Sequence, residues 1–266
     1  MLREARESRR RSKARLVLTQ QGYWFTGSGE MATGAFEHAE TRFVTNFLPK
    51  CDLFVDVGAN VGYYSCLACS LGKRVVAIEP LIHNLEYLYT NLVVNGWANA
   101  EVVPVALSKS PGIATLSGGS TGASLIRTWA GSSESWSRFI PLSTLDTVLG
   151  SRFNGKRALI KIDVEGAEFE VMLGSVLTLR MDPPPTWLVE VCLTENHPSG
   201  LNPNFLQVFN IFWANGYEAL ALESNGFRRV ARSDVELWVK TRHREFGYVS
   251  YIFHKGDSLG AELVGS

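Results

Sequence analysis

Three groups of residues in this chain have types and spacings that can do chemistry. The first is Phe54-Val-Asp-Val-Gly-Ala-Asn-Val-Gly-Tyr-Tyr-Ser65, answered further on by Val75-Val-Ala-Ile-Glu-Pro80. It reads as strand, glycine turn and helix, then a second strand ending in a carboxylate, the order of a nucleoside-binding βαβ unit. Gly58, Asn60 and Gly62 occupy the turn, where small residues let the backbone approach a ligand at a helix N-terminus. Their G-x-N-x-G spacing departs from the G-x-G-x-x-G of dinucleotide sites: Asn60 takes the second glycine position and Tyr63 the third, which disfavours a pyrophosphate. Asp56 suits a ligand bearing an ammonium group, and Glu79 can accept both hydroxyls of a ribose through its two oxygens. Together these fit S-adenosylmethionine better than a phosphorylated nucleotide. The bland alternative is a turn that merely packs, with Glu79 in solvent.

The second group is Leu159-Ile-Lys-Ile-Asp-Val-Glu-Gly-Ala-Glu168. Period-two alternation puts Lys161 and Asp163 on one side of a strand, with Ile160, Ile162 and Val164 on the other. A lysine inside a buried strand needs a charge partner. Glu190, in Leu188-Val-Glu-Val-Cys192 on the expected neighbouring strand, is the candidate; the bland alternative is a pair that only organises the sheet. Asp163 differs because the strand end opens on the ligand side. The third group is His197 in Thr194-Glu-Asn-His-Pro198, expected on the same sheet edge. Its imidazole could take a proton from a substrate hydroxyl near neutral pH. Alternatively, Asp163, Glu190 and His197 could hold a divalent ion, or His197 could be a surface residue. His38, His83, His243 and His254 show no comparable constellation. Trp129, Trp136, Trp213 and Trp238 could line an apolar acceptor pocket or simply pack.

These groups need a scaffold, and the chain alternates in the way that builds one. Residues 16–50 predict a short β element and a covering helix over Ala35–Leu48. Strands are expected at 53–57, 74–79 and 101–107, with helices near 61–71 and at Leu81–Val94, the latter stopped by Asn95-Gly96. From 108 to 140 glycine, serine and threonine predominate, which predicts a hairpin or mobile loop at the site's edge. Ser143-Thr-Leu-Asp146 resembles a capping box opening a helix to about Leu149. Strands at 158–164, 187–193 and 217–222 alternate with helices at 166–179 and 203–214, and Asp182-Pro-Pro-Pro185 ends the first of these helices. A polar stretch precedes a last strand, Tyr248–His254. The fold class is α/β, a doubly wound, mostly parallel sheet with an antiparallel strand at its end.

A chain of 266 residues that is 45% hydrophobic can bury one full core, so one domain with appendages is expected. The segments are a basic arm at 1–15, a cap at 16–50, the main domain at 51–256 and a loose tail at 257–266. Lysine plus arginine equals aspartate plus glutamate at 26 each, so no global field favours nucleic acid or anionic lipid. The arm could touch an acidic partner but reads more simply as a solvated terminus, and it lacks the apolar stretch of a signal peptide. Cys66 and Cys69 have C-x-x-C spacing without a second pair to complete four zinc ligands, so packed thiols in a reducing cytoplasm are expected, with Cys51 and Cys192 alike. No apolar run approaches the ~20 residues that cross a bilayer, which reads as a soluble, cytoplasmic protein.

The chain resembles the FkbM-type family of class I S-adenosylmethionine-dependent methyltransferases. The resemblance rests on Val55–Ser65, Ala77-Ile-Glu-Pro80, Val105-Ala-Leu-Ser108, Thr144-Leu-Asp146 and, most specifically, Ile160-Lys-Ile-Asp-Val-Glu-Gly-Ala-Glu168, in order and spacing from about Gly34 to His254. It implies a Rossmann-like, seven-stranded sheet and methyl transfer, usually to a hydroxyl of a sugar or natural product. It implies cofactor contacts at Asp56, Gly58, Asn60, Gly62 and Glu79, extended to Pro80 and Ser108 in the matched motifs, with Asp163 near the reacting methyl. Asp163, Glu190 and His197 are the catalytic candidates, and no residue is assigned to a metal although a divalent ion stays open. The expected partner is a small hydroxylated acceptor, with neither membrane nor nucleic acid. Two rivals remain: a non-catalytic scaffold that keeps the cofactor site, and an NAD-linked oxidoreductase on the same sheet.

Overall fold

The computed structural model describes residues 15–119, 122–133 and 137–256. Residues 1–14 of the basic arm, the tail from 257 and Trp136 lie outside the described residues. Strands β1 (Val17–Leu18) and β2 (Trp24–Phe25) pair as a small ribbon, followed by helices α1 (Gly29–Thr33) and α2 (His38–Phe47). The main domain then runs β3 (Leu53–Val57), α3 (Tyr63–Ser70), β4 (Arg74–Ile78), α4 (Ile82–Val94) and β5 (Glu101–Val103). A side sheet is formed by β6 (Ala106–Leu107), β7 (Gly112–Ser117) and β8 (Ser137–Ser143). The second half continues with α5 (Leu145–Leu149), β9 (Ala158–Ile162), α6 (Glu168–Leu173), β10 (Thr186–Glu190), α7 (Phe205–Ala214) and β11 (Glu218–Glu223). It closes with β12 (Gly226–Val230), α8 (Arg232–Thr241) and β13 (Ser250–His254).

The central sheet has the order β12-β11-β13-β10-β9-β3-β4-β5. Strands β10, β9, β3, β4 and β5 are parallel neighbours, while β13 runs antiparallel between β10 and β11, inside the sheet, and the hairpin-related antiparallel strand at the end is β12. Every residue of β3, β9 and β13 is buried because helices cover both faces, and the three runs are apolar except for Asp56, Lys161, Ser250 and His254. On one face Phe54, Leu159 and Leu188 pack under α2, α3 and α4; on the other, Val55, Ile160 and Val189 pack under the helices of the second half. Among the described residues no helix is long and apolar enough to cross a membrane.

Several expectations are corrected. The sheet has eight strands rather than seven, because Gly226–Val230 adds a hairpin strand to β11, and the polar stretch before the last strand also contains α8. Both elements are partly solvated, so their apolar pattern is thin. The expected strand 101–107 is two strands: the chain leaves the main sheet after Val103 and joins the side sheet at Ala106, beside β8. The expected helix 166–179 ends at Leu173 with Gly174 as its cap, packed so closely on the Ser108 carbonyl oxygen that a Cβ would stand 2.2 Å from it. The cap of α5 is Thr144, whose hydroxyl accepts from the Thr147 N–H, rather than Ser143; Asp146 is drawn away to accept from the Leu177 and Thr178 N–H groups. The segment 108–140 is a hairpin of β7 and β8 with a long connection.

Candidate active site

A parallel sheet offers its ligand crevice beyond the carboxyl ends of the strands, where the chain turns from strand to helix. A cavity of about 310 Å³ opens there, at the lower end of the 300–1,000 Å³ common for ligand pockets. Its floor is the turn after β3 and the ends of β4, β9 and β10; the side sheet and the segment before α2 complete its walls.

The turn after β3 is shaped by two glycines with different work. Gly58 has φ +84°, and a Cβ on it would lie 1.9 Å from the Asp163 carbonyl oxygen, so its bareness lets the ends of β3 and β9 meet. Gly62, at φ +88°, lies against Leu88 of α4, which a Cβ would approach to 2.4 Å, and it does not line the cavity. Its expected ligand contact is thus replaced by helix packing. Asn60, at φ +51°, turns its N–H to Glu79 Oε2 at 2.9 Å and leaves its buried Oδ1 without a partner.

Glu79 ends β4 almost fully buried; its Oε1 accepts from the Leu81 N–H at 2.9 Å and Asn84 Nδ2 at 3.2 Å. Burial pushes its carboxyl up to about 7 against the pull of these three donors. Each carboxylate oxygen has two lone pairs, so acceptor capacity remains toward the cavity. Pro80 lines the cavity beside it. Ser108 does not: it packs on Gly174 and pairs its N–H with Ser143, so its expected cofactor role is not supported by its position. Asp56, also buried, accepts the Ser65 hydroxyl at 2.6 Å and sits opposite Lys161 in the β3–β9 register.

Lys161 is fully enclosed, and its partner differs from expectation. Its Nζ donates to Asp163 Oδ2 at 2.8 Å and lies 4.8 Å from the centre of the Tyr64 ring, rather than pairing with Glu190. Alternation along one strand brings residues two apart to the same side, and this local pairing prevails over the neighbouring strand. The surrounding carboxylates hold the lysine above its ordinary value despite burial, the nearest being Asp163. Glu190 lines the cavity, with the Cys192 thiol as a distant donor at 3.9 Å; burial and then repulsion from Asp163 hold its carboxyl well above the usual range.

Two further acids were not found from sequence. Glu37 sits at φ +42° at the head of α2, accepts the Tyr64 hydroxyl at 2.8 Å and reaches the cavity; burial raises its carboxyl. Glu165, at φ +54°, accepts Trp129 Nε1 at 2.6 Å, and burial pushes it up to about 7. The signal for Glu165 was present in the run that ends at Glu168; Glu37 lies far from any strand end in sequence. Glu168 itself is buried behind the wall, bonded to the Gly166 N–H, and burial raises it to about 8.

His197 is not among the residues lining the cavity. Its Nδ1 lies 2.8 Å from the Ser199 hydroxyl, and its ring meets Trp129 edge-on at 5.9 Å. Trp129 is itself wholly buried beneath Gly166, so the histidine is screened from the site by packing. The trio Asp163, Glu190 and His197 does not converge, and among the described residues no group of three or more His, Cys, Asp or Glu is arranged to hold a metal ion. Trp213 and Trp238 pack against the second-half face rather than at the cavity.

Strand-end acid, glycine turn and an unpartnered buried amide oxygen fit an adenosyl donor, and with the sheet order they define a doubly wound nucleoside-cofactor enzyme. Residues 56–219 match the profile of the methyltransferase FkbM domain, so the chain belongs to the FkbM methyltransferase family and uses S-adenosylmethionine. No curated protein matches the chain significantly. Solved structures similar to it include a precorrin-6y C5,15-methyltransferase from Geobacter metallireducens, at 14% identity and TM-score 0.43, covering 87% of this chain and 94% of that one. An O-methyltransferase from Bacillus cereus in complex with SAH matches at 11% identity and TM-score 0.42, covering 81% and 79%. A ribosomal protein L11 methylase from Lactobacillus delbrueckii subsp. bulgaricus matches at 9% identity and TM-score 0.43, covering 82% and 79%.

Proposed function

We propose that this methyltransferase acts on a hydroxyl oxygen of a small acceptor such as a sugar or natural product, with Glu190 as the proton acceptor. The donor supplies a methyl group on a positively charged sulfur, an electrophile that needs alignment more than activation. Glu79 would hold the ribose, and the Gly58–Asn60 turn and Asp56 the amino-acid end. Asp163, clamped by Lys161, fixes the strand end that faces the acceptor. A hydroxyl that gains a methyl must lose its proton, and the acceptor of that proton should be an ionised group within hydrogen-bond reach, a state the positively charged donor favours in a nearby carboxyl.

The observation that carries this reading is the state of Glu190. It stands at the cavity wall with one weak thiol donor, and its affinity for protons is raised by burial and by Asp163. Asp163 is engaged by Lys161, and His197 does not line the cavity, so neither competes for the role. The test is S-adenosylhomocysteine production with a panel of hydroxylated acceptors, the product's methyl position read by NMR. Methylation at nitrogen or carbon instead of oxygen would overturn the reading. Glu190→Gln is expected to lower kcat at least 100-fold with donor affinity held within about threefold; unaltered kcat would remove Glu190 from the role.

A further inference from the structure

The cavity wall carries more acidic groups than its own cations can pair. Six carboxylates line it, those of Glu37, Asp56, Glu79, Asp163, Glu165 and Glu190, and among the described lining residues Lys161 is the only lysine or arginine. Three of the six are well partnered: Glu79 by three N–H donors, Asp56 by both the hydroxyl and the backbone N–H of Ser65 with Lys161 opposite, and Asp163 by the Lys161 ammonium. The other three have one donor each: the Tyr64 hydroxyl for Glu37, Trp129 Nε1 for Glu165 and the Cys192 thiol for Glu190. Their positions are also built against the backbone's preference, since Glu37 and Glu165 both hold left-handed φ values, of 42° and 54°.

Enclosed carboxylates without cations are costly, and a protein keeps them where a ligand supplies the missing charge. The donor brings one sulfonium, one ammonium and one carboxylate, a net charge of one positive. That does not offset what Lys161 leaves over. We infer that the acceptor carries a protonated amine, received by Glu37 and Glu165, beside the hydroxyl that Glu190 deprotonates. The inference rests on the O-methylation reading and names its substrate class: amino alcohols and amino sugars in their cationic form. Glu37 lies before residue 56, outside the family match, so half of this ammonium clamp is contributed by the chain's own cap.

The carboxyl groups are raised in the ligand-free protein, Glu165 to about 7. A cation entering the cavity therefore draws protons off, and binding releases them to solvent. Charge preference should be full at pH 8 and decline as pH falls through about 7. The groups facing this region are Glu37 from the cap, Asp56 from β3, Lys161 and Asp163 from β9, Glu165 from the loop after it, Glu190 from β10 and Glu79 from β4.

The experiment is calorimetry on the full chain saturated with S-adenosylhomocysteine. Charged and neutral probes are compared in pairs whose amines stay protonated at pH 8: ethanolamine with ethylene glycol, and 3-amino-1-propanol with 1,3-propanediol. The ammonium member of each pair is expected to bind at least tenfold more tightly at pH 8, with proton release visible as a heat that changes with buffer. Glu37→Gln and Glu165→Gln should each cut the preference at least threefold while leaving S-adenosylhomocysteine affinity unaltered, which shows the fold intact. Charged and neutral probes that bind equally, or that both fail to bind, overturn the inference, as does a preference that survives in the double variant. Turnover of an amine-bearing acceptor separates the two readings: an N-methyl product sinks O-methylation yet leaves the charge preference standing.

Discussion

Gly58 and Gly62 share a motif and a positive φ, yet the atoms a side chain would strike differ, and so should the consequences. Gly58→Ala drives a methyl group into the Asp163 carbonyl at 1.9 Å, a backbone atom that cannot retreat without parting β3 from β9. Cofactor binding is expected to vanish in calorimetry, with stability lowered by at least 2 kcal/mol. Gly62→Ala meets only the end of the Leu88 side chain, so it should cost about 1–2 kcal/mol in denaturant unfolding and leave donor affinity within threefold. Equal loss of affinity in both variants would show that Gly62 touches the ligand after all. Glu79 belongs to the same scale. Its carboxylate ties the turn to the head of α4 and is raised to about 7, so donor affinity should fall as pH drops below that value. Glu79→Ala is expected to weaken S-adenosylmethionine binding at least tenfold, about 1.4 kcal/mol; an unchanged dissociation constant would dismiss the ribose assignment.

Among elements, the side-sheet insertion matters most, because the buried Trp129 in its long connection links the cover of the cavity to Glu165. Trp129→Phe keeps most of the packing and removes the donor that lowers the Glu165 carboxyl. If Glu165 must be ionised to receive the acceptor, the acid limb of kcat/KM should move to higher pH in this variant; a limb that stays put would free Glu165 from that role. Which elements were legible in sequence follows from burial. Leu53–Val57 and Ala158–Ile162 announce themselves because both faces are covered, so four of the five positions in each are apolar and the fifth is the paired Asp56 or Lys161. The strand Gly226–Val230 and the helix Arg232–Thr241 are partly wet, and their polar residues hid them. The need for glycine at 174 was invisible, since the Ser108 carbonyl it packs against lies more than sixty residues away along the chain. The same limit governs the site. Asp56, Asn60, Glu79 and Asp163 stand at the strand ends that alternation located, but Glu37 arrives through a folded cap and His197 is withdrawn by Trp129, neither of which spacing encodes.

For the whole molecule, the raised carboxyls are a statement about stability. A carboxyl whose folded value lies above its unfolded one stabilises the native state fully below the unfolded value and loses that contribution as pH climbs through the folded one. With Glu79 and Glu165 at about 7 and Glu168 at about 8, against about 4.5 for an ordinary glutamate, the window runs from about 4.5 to 8. Ligand-free protein should therefore melt at a higher temperature at pH 6 than at pH 8.5 in calorimetry, and saturating donor should narrow the gap. Glu168→Gln keeps the acceptor for the Gly166 N–H and removes a buried charge, so it should raise the midpoint at pH 8.5 by roughly 3 °C per kcal/mol recovered and do little at pH 5. A midpoint that rises steadily from pH 6 to 8.5 would refute this account. The roof of the crevice has a separate consequence. It is assembled from two stretches that join no strand of the central sheet, one ahead of β3 and one spliced in after β5. The cap's Phe43, Val44 and Phe47 seal one face of the sheet and Trp129 anchors the insertion to Glu165, so retargeting this catalyst means re-tailoring the lining around those pins and leaving the pins in place.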